Sequence, residues 1–252
     1  LPLFHSFGLT AGLLLPLLRG NFVFLFPSPL MYRQIPAVFY DRDCTVLLST
    51  NTFLNGYARA AQPADFANLR YLICGAEKVQ QATREHWARE FGVRVFEGYG
   101  ATEASPVVAA NQMGNNIPGS VGKLMSGMSY KLEPVSGIDK GGRMFVRGPN
   151  VMKGYLRASA PGQLEPPKDG WHDTGDICTV DKEGVIRIRG RVKRFAKVGG
   201  EMISLAVVEN CASAIWPDNM HAAAAIPDPR KGEQIVLLSD TDAVNRPDML
   251  AW

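Results

Sequence analysis

Two short strings concentrate residue types that handle phosphates and sugars: Gly98-Tyr99-Gly100-Ala101-Thr102-Glu103 and Trp171-His172-Asp173-Thr174-Gly175-Asp176. In the first, glycines let the backbone approach a phosphate closely, Thr102 offers a hydroxyl, and Glu103 offers a hard oxygen ligand for Mg²⁺. The second, entered through Asp169-Gly170, gathers three carboxylates around glycine turns ahead of the apolar Ile177. Asp176 there is suited to accept hydrogen bonds from a ribose diol. Taken singly, the first string also suits a plain strand-to-loop turn and the second a solvated hairpin turn.

The elements that must carry these strings are legible as periodicities. Apolar runs at Phe22 to Phe26, Val46 to Ser49, Leu69 to Cys74 and Arg94 to Glu97 read as strands, with Arg33 to Arg42 and Gln80 to Phe91 as helices between them. Phe22-Val23-Phe24-Leu25-Phe26 is apolar on both faces, which suits a parallel sheet covered by helices on each side. The fold class is therefore α/β, and the first string follows a strand, where open α/β sheets bind ligands. After Ser105 the texture turns to glycine-rich turns and short alternating segments, an antiparallel β region whose clearest strands are Arg143 to Arg147 and Val185 to Arg189. Ala158 to Gly170, with Pro161, Pro166 and Pro167, reads as a surface loop. Past Gly190 a basic, glycine-containing link, Arg191 to Gly200, precedes a helix over Leu205 to Ile215 and a strand over Ala222 to Ile226. That shift marks a domain boundary between 1–190 and 191–252.

Composition bounds the remainder. The 252 residues, 46% hydrophobic and 20% charged, suit a soluble globular protein with a sizeable core. A formal charge of +3, from 27 Lys and Arg against 24 Asp and Glu, is too small and dispersed for a nucleic-acid partner. Cys44, Cys74, Cys178 and Cys211 lack the close pairing of a zinc site or redox dithiol, so buried free thiols in a reducing cytoplasm are expected. Leu1 to Leu18 is apolar without a basic leading region or a cleavage pattern; interrupted by His5, Ser6, Gly8 and Thr10, it reads as a buried helix rather than a signal peptide or membrane span.

Order and spacing add a family. His5-Ser6-Phe7-Gly8, Cys74-Gly75-Ala76-Glu77, Tyr99-Gly100-Ala101-Thr102-Glu103, Gly119-Ser120-Val121-Gly122, Thr174-Gly175-Asp176 and Gly190-Arg191 together resemble the adenylate-forming superfamily of acyl-CoA synthetases, luciferases and peptide-synthetase adenylation domains. A narrower resemblance, carried by Glu97 to Gly100, Gly141 to Arg143, Gly148 to Leu156 and Lys193 to Lys197, is to the synthetase half of bacterial bifunctional 2-acylglycerophosphoethanolamine acyltransferase/acyl-ACP synthetases.

The resemblance implies part of a large AMP-binding domain, a parallel sheet with helices plus a β-rich subdomain, followed by the start of a small α+β lid. It implies ATP or AMP, Mg²⁺ and a phosphopantetheine thiol as cofactors, and a fatty acid as substrate. Gly75, Ala76 and Glu77 would form part of the adenine wall, and Gly98, Tyr99, Gly100, Ala101 and Thr102 would line the nucleotide and its α-phosphate. Glu103 would hold Mg²⁺, Asp176 and Arg191 would contact the ribose, and Lys193 falls at the family's hinge. Gly199 and Gly200 would let the thiol arm pass close to backbone, and His5 falls near the expected acyl pocket, where a core histidine is the competing reading. The basic string suits an acidic acyl carrier protein or the phosphates of coenzyme A. The narrower resemblance implies an upstream acyltransferase and membrane helices in a longer parent at the cytoplasmic face of a bacterial inner membrane, this chain itself being soluble.

Two departures accompany the match. The family's phosphate-gripping Gly/Ser/Thr/Lys loop would precede Leu1, and its late lysine would follow Trp252; Lys231, within Asp228 to Glu233, matches an earlier loop. The expectation is weak binding of AMP or acyl-adenylate by this chain and little adenylate formation, with a fatty acyl-CoA ligase and a non-catalytic adenylate-binding module as competing readings.

Overall fold

The structure, a computed structural model, describes residues 1–240. It divides into two units: residues 1–130, 146–172 and 180–187, and residues 131–145, 173–179 and 188–252.

In the first unit the chain begins with short helical turns, α1 (Ser6–Leu9), a π-helical stretch (Thr10–Leu14) and α2 (Leu15–Leu18), then α3 (Gln34–Asp41). Strand β1 (Val46–Ser49), helix α4 (Asn51–Ala58), β2 (Tyr71–Cys74), α5 (Gln81–Phe91) and β3 (Val95–Gly100) follow. β1 pairs with β2 and β2 with β3, both parallel, with Leu47 opposite Leu72 and Leu72 opposite Val95. Parallel neighbours need a crossover, and α4 and α5 are the helices between these strands. β4 (Val107–Ala110) and β5 (Lys123–Leu124) add antiparallel partners, completing the order β1-β2-β3-β4-β5.

Helix α4 starts where Thr50, extended at ψ 167, accepts a side-chain hydrogen bond from Phe53 N–H. Helix α5 stops at Gly92, left-handed at φ 66, which ends a helix without a Cβ clash. Leu54, Leu72, Phe66 and Trp87 are buried in one core with Tyr57, Val79 and Val95. Each fully buried leucine there contributes about 1.5–3 kcal/mol.

The β-rich stretch holds β6 (Ser129–Glu133), β7 (Gly142–Arg147), β8 (Tyr155–Leu156), β9 (Leu164–Glu165), β10 (His172–Val180) and β11 (Ile186–Arg191). Four of these form a sheet of order β11-β10-β7-β6. β8 and β9 make a separate antiparallel pair. In the second unit β12 (Phe195–Val198), β13 (Glu201–Ser204), α6 (Leu205–Ile215), β14 (His221–Asp228) and β15 (Gly232–Ser239) form a four-stranded sheet, order β13-β12-β15-β14, with one helix. Its core is Ala196, Leu205 and Ala223, flanked by Val198, Val208, Ile235 and Leu237.

The α/β class and the helices at Gln34–Asp41, Gln81–Phe91 and Leu205–Ile215 match the sequence reading. Four readings need correction. Phe22 to Phe26 lies in no strand, and Phe22 is 80% exposed; an apolar run takes strand form only where a neighbouring strand pairs with it. Residues 6–18 are helical but only Phe7 and Gly8 are buried, with Leu18 84% exposed. The Ala158 to Gly170 loop contains β9, and the Arg191 to Gly200 link contains β12, since each finds an antiparallel partner. Helix α4 went unread although Thr50 and the Phe53, Leu54, Tyr57 spacing mark it; Asn51, Asn55 and Gly56 diluted its periodicity. Among the described residues no helix is long and apolar enough to cross a membrane.

Candidate active site

The first string sits at the end of β3 and in the turn that follows. β3 alternates buried and half-buried residues through Val95, Glu97 and Tyr99, and Gly100 ends it at the surface. Gly100 is required sterically: a Cβ there would lie 2.3 Å from the Pro106 carbonyl oxygen. Ala101 N–H donates to that same oxygen at 2.9 Å, so the chain folds back tightly and leaves Thr102 exposed on a single 3₁₀ turn, Thr102–Ala104. Thr102 Oγ1 lies 3.4 Å from Ser6 Oγ.

Glu103 is half-buried, and its Oε1 accepts a 2.7 Å hydrogen bond from the Tyr155 hydroxyl. That hydrogen bond, first, and burial push the phenol up to about 12. A hard carboxylate fits Mg²⁺, which keeps several waters and is held by one or two carboxylates together with substrate phosphates. No group of three or more acidic, histidine or cysteine side chains poised for a metal occurs among the described residues, so a cation here would depend on the nucleotide for its other ligands.

Beneath the turn, Glu97 ties three segments together. Its carboxylate, 8% exposed, lies 3.1 Å from Arg84 Nη1 on α5 and accepts from Gly119 N–H at 3.2 Å. Burial raises the Glu97 carboxyl, and the Gly119 amide, Arg84 and the Val79 amide oppose that shift. Asn111, also buried, donates to the Glu97 and Ser120 carbonyls and accepts from Ile117 N–H. The Gly119-Ser120-Val121-Gly122 segment is thus a brace for the β3 end.

Cys74-Gly75-Ala76-Glu77 ends β2. Ala76 is left-handed at φ 65, and a Cβ on Gly75 would stand 3.5 Å from the Gly98 carbonyl oxygen, so Gly75 and Gly98 are brought together. The Glu77 carboxylate faces the start of α4, where Oε2 accepts from Thr52 N–H at 2.9 Å and Thr52 Oγ1 at 2.8 Å, a favourable place for an anion. His5 is exposed and caps α1 through Nδ1, which accepts from Phe7 N–H at 3.2 Å. It is therefore not a core histidine. A cavity of about 860 Å³, lined in part by Tyr32, Arg33, Asn51, Thr52, Arg59 and Gln80, does not include the Gly98 to Glu103 turn; the turn's chemistry, not the size of that cavity, defines the candidate site.

In the second unit, Asp176 on β10 is buried and lies 3.1 Å from Arg191 Nε on β11, whose side chain is largely exposed. Thr174 Oγ1 donates to the Met144 carbonyl and accepts from Asp176 N–H, while Asp173 pairs with Arg143. Lys193 is exposed on the 3₁₀ turn Val192–Arg194, and Gly199 and Gly200, at φ 60 and 97, make the β12–β13 turn. Arg194 is engaged by Glu209, with both carboxylate oxygens at 2.6 Å.

Sequence reasoning assigned no role to Tyr155, Glu97, Arg84 or Asn111. Glu97 and Tyr155 stood inside quoted strings, but nothing local connects Tyr155 to a glutamate 52 positions earlier.

The parallel part of the sheet, β1 to β3, ends in a glycine-rich turn that carries a threonine and a glutamate, residue types suited to a phosphate and a hard cation. Residues 1–156 match the model of the family described as AMP-binding enzyme, and the chain belongs to that family. It is 32% identical to a long-chain-fatty-acid–CoA ligase of Yersinia pestis over 99% of this chain and 46% of the relative. It is 33% identical to a feruloyl-CoA synthase of an Amycolatopsis species over 100% of this chain and 53% of the relative. The crystal structure of ATP-bound MatB from Rhodopseudomonas palustris superposes with a TM-score of 0.81 at 28% identity, covering 100% of this chain and 51% of that one. The chain thus spans about half the length of the curated relatives it matches.

Proposed function

We propose that this chain is part of an acid–thiol ligase that activates a fatty acid with ATP and passes the acyl group to a phosphopantetheine thiol. The observation that carries the reading is the Gly98 to Glu103 turn: glycine backbone packed against Pro106, an exposed Thr102 hydroxyl, and a Glu103 carboxylate held by a phenol. Relatives named as acyl-CoA ligases support the reaction class.

A carboxylate resists attack by a thiol because its charge is delocalised and its leaving group would be oxide. Attack of the carboxylate oxygen on the α-phosphorus of ATP forms an acyl-adenylate and releases pyrophosphate; the thiol then displaces AMP. Mg²⁺, when bound, neutralises phosphate charge. For its part, the chain binds and orients: backbone at Gly98 to Ala101 and the Thr102 hydroxyl take the nucleotide and α-phosphate, Glu103 holds the metal, and Gly75 to Glu77 bound the adenine. Asp176 and Arg191 take the ribose diol, whose two hydroxyls suit a carboxylate acceptor. Such positioning and electrostatics are the main catalytic terms for this chemistry.

The lid reading makes residues 191–252 a mobile small domain hinged at Lys193, with Gly199 and Gly200 passing the thiol arm; residues 241–252 lie outside the described part. For the acceptor, exposed Lys193 and Lys197 favour an acidic acyl carrier protein, whereas the relatives' names favour coenzyme A. The narrower resemblance, with an upstream acyltransferase and a place on the inner membrane, rests on the Glu97 to Gly100, Gly141 to Arg143, Gly148 to Leu156 and Lys193 to Lys197 strings alone.

Calorimetry with AMP and the 252-residue chain tests the nucleotide reading. Binding is expected, weakened about tenfold or more in Asp176→Ala, which removes a charged acceptor worth about 1.5–3 kcal/mol. Equal affinity of both proteins would refute it. Thioester formation by the full-length protein, offered carrier protein and coenzyme A separately, decides the acceptor.

A further inference from the structure

Ala76 keeps a left-handed backbone, φ 65, although it carries a Cβ. A residue other than glycine holds such a conformation only where its surroundings over-determine it. Here the surroundings are neighbouring elements of the same unit. On one side Gly75 N–H donates to the Ser49 carbonyl at the end of β1, at 3.2 Å, and both residues are buried. On the other, the start of α4 takes hold: Thr52 donates to Glu77 Oε2 through its N–H at 2.9 Å and its Oγ1 at 2.8 Å.

Thr52 is itself fixed against the same connection. Asn51 Oδ1 accepts from Gln80 N–H at 3.0 Å, and Asn55 Oδ1 accepts from Thr83 Oγ1 at 3.0 Å. Residues 51, 52 and 55 share one face of α4, so a single helix face grips the chain from Glu77 into α5. What this grip holds lies beside the glycine turn of β3: a Cβ on Gly75 would stand 3.5 Å from the Gly98 carbonyl oxygen and 3.3 Å from Phe7 Cε1.

We propose that Thr52 is a positioning residue for the nucleobase: acting through Glu77, it holds the left-handed Ala76 turn where Gly75 to Glu77 bound the adenine, and so sets selectivity for the base. This rests on the reading that those residues form the adenine wall. The link is charge-assisted and lies at a helix start, which favours an anion, so it is stronger than a neutral hydrogen bond. A wall already fixed by the fold leaves less ordering to be done when the base binds. A small displacement caused by a residue that never touches the ligand is enough to weaken it. Thr52→Val keeps the side-chain shape and the backbone donor and removes the hydroxyl, which puts the expected loss at about fivefold.

The test is calorimetry on the 252-residue chain with AMP and GMP, which share ribose and phosphate and differ in the base. The wild type is expected to bind AMP about tenfold or more tighter than GMP. Thr52→Val should lower that ratio about fivefold, through AMP rather than GMP, and Thr52→Ser, which retains a hydroxyl, should keep the wild-type ratio. Thr52 is exposed, and a melting curve of each variant confirms that it is folded. A residue that merely caps α4 would lower the melting temperature in Thr52→Val and leave the ratio alone. That result, an equal loss of AMP and GMP, or a ratio in Thr52→Ser as low as in Thr52→Val overturns the positioning role and leaves the adenine reading in place. If the wild type binds AMP and GMP alike, or binds neither, the adenine-wall reading fails and takes this proposal with it.

Discussion

Replacing Arg84 by methionine would leave the Glu97 carboxylate buried beside its remaining backbone donors. Both partners are well covered, the side chains being 18% and 8% exposed, and they stand 3.1 Å apart. Removing one member of a buried pair costs about 3–5 kcal/mol, because the other charge stays desolvated. The Gly119 and Val79 amides still donate to Glu97, which puts Arg84→Met at the lower end, about 3 kcal/mol at pH 8.

The loss has a pH signature. Burial already raises the Glu97 carboxyl above its ordinary value of 4.5, and Arg84 is one of the groups holding it down. A carboxyl raised by folding contributes stability that is fully present below its unfolded value and is lost as pH rises through its folded value. Without Arg84 the folded value climbs further, each additional unit costing about 1.4 kcal/mol above it. The penalty of Arg84→Met should therefore be larger at pH 8 than at pH 5. Urea unfolding of wild type, Arg84→Met and Arg84→Met/Glu97→Gln at both pH values measures it. The double variant should recover much of the loss at pH 8, since a neutral side chain replaces the stranded charge. Equal penalties at pH 5 and pH 8, or a double variant no more stable than the single one at pH 8, would refute the reasoning.

Two further outcomes follow from packing. Gly122→Ala puts a Cβ 2.2 Å from the Ala110 carbonyl oxygen at a residue with φ 73; it should destabilise the chain by at least about 2 kcal/mol, and an unchanged melting temperature would show that this brace is soft. Cys74 and Cys178, fully buried and pushed up to about 12 mainly by desolvation, should resist a thiol-reactive disulfide reagent at pH 8 until the chain unfolds, while Cys44 and Cys211, partly exposed, react first; immediate reaction of all four thiols would contradict their burial.

Residue types and short-range periodicity by themselves determined the α/β class, several of the helices and strands, and the glycine-rich and acidic strings on which the family resemblance rests, because each depends on neighbours a few positions away. Helix α5 over Gln81–Phe91 is legible from its spacing and from the glycine that ends it. Glu103 is legible as a hard oxygen beside a threonine and glycines, a set that equally suits a plain turn, and the family resemblance is what implies a metal there. Whether Phe22 to Phe26 becomes a strand depends on a partner strand, which an apolar pattern does not encode, and the run stays outside the sheets. Only the tertiary structure brings the Tyr155 phenol to Glu103 across 52 residues and sets Arg84 and Gly119 on Glu97. Hydrogen bonds act over about 3 Å, and the folded backbone alone decides which distant residues come within that reach.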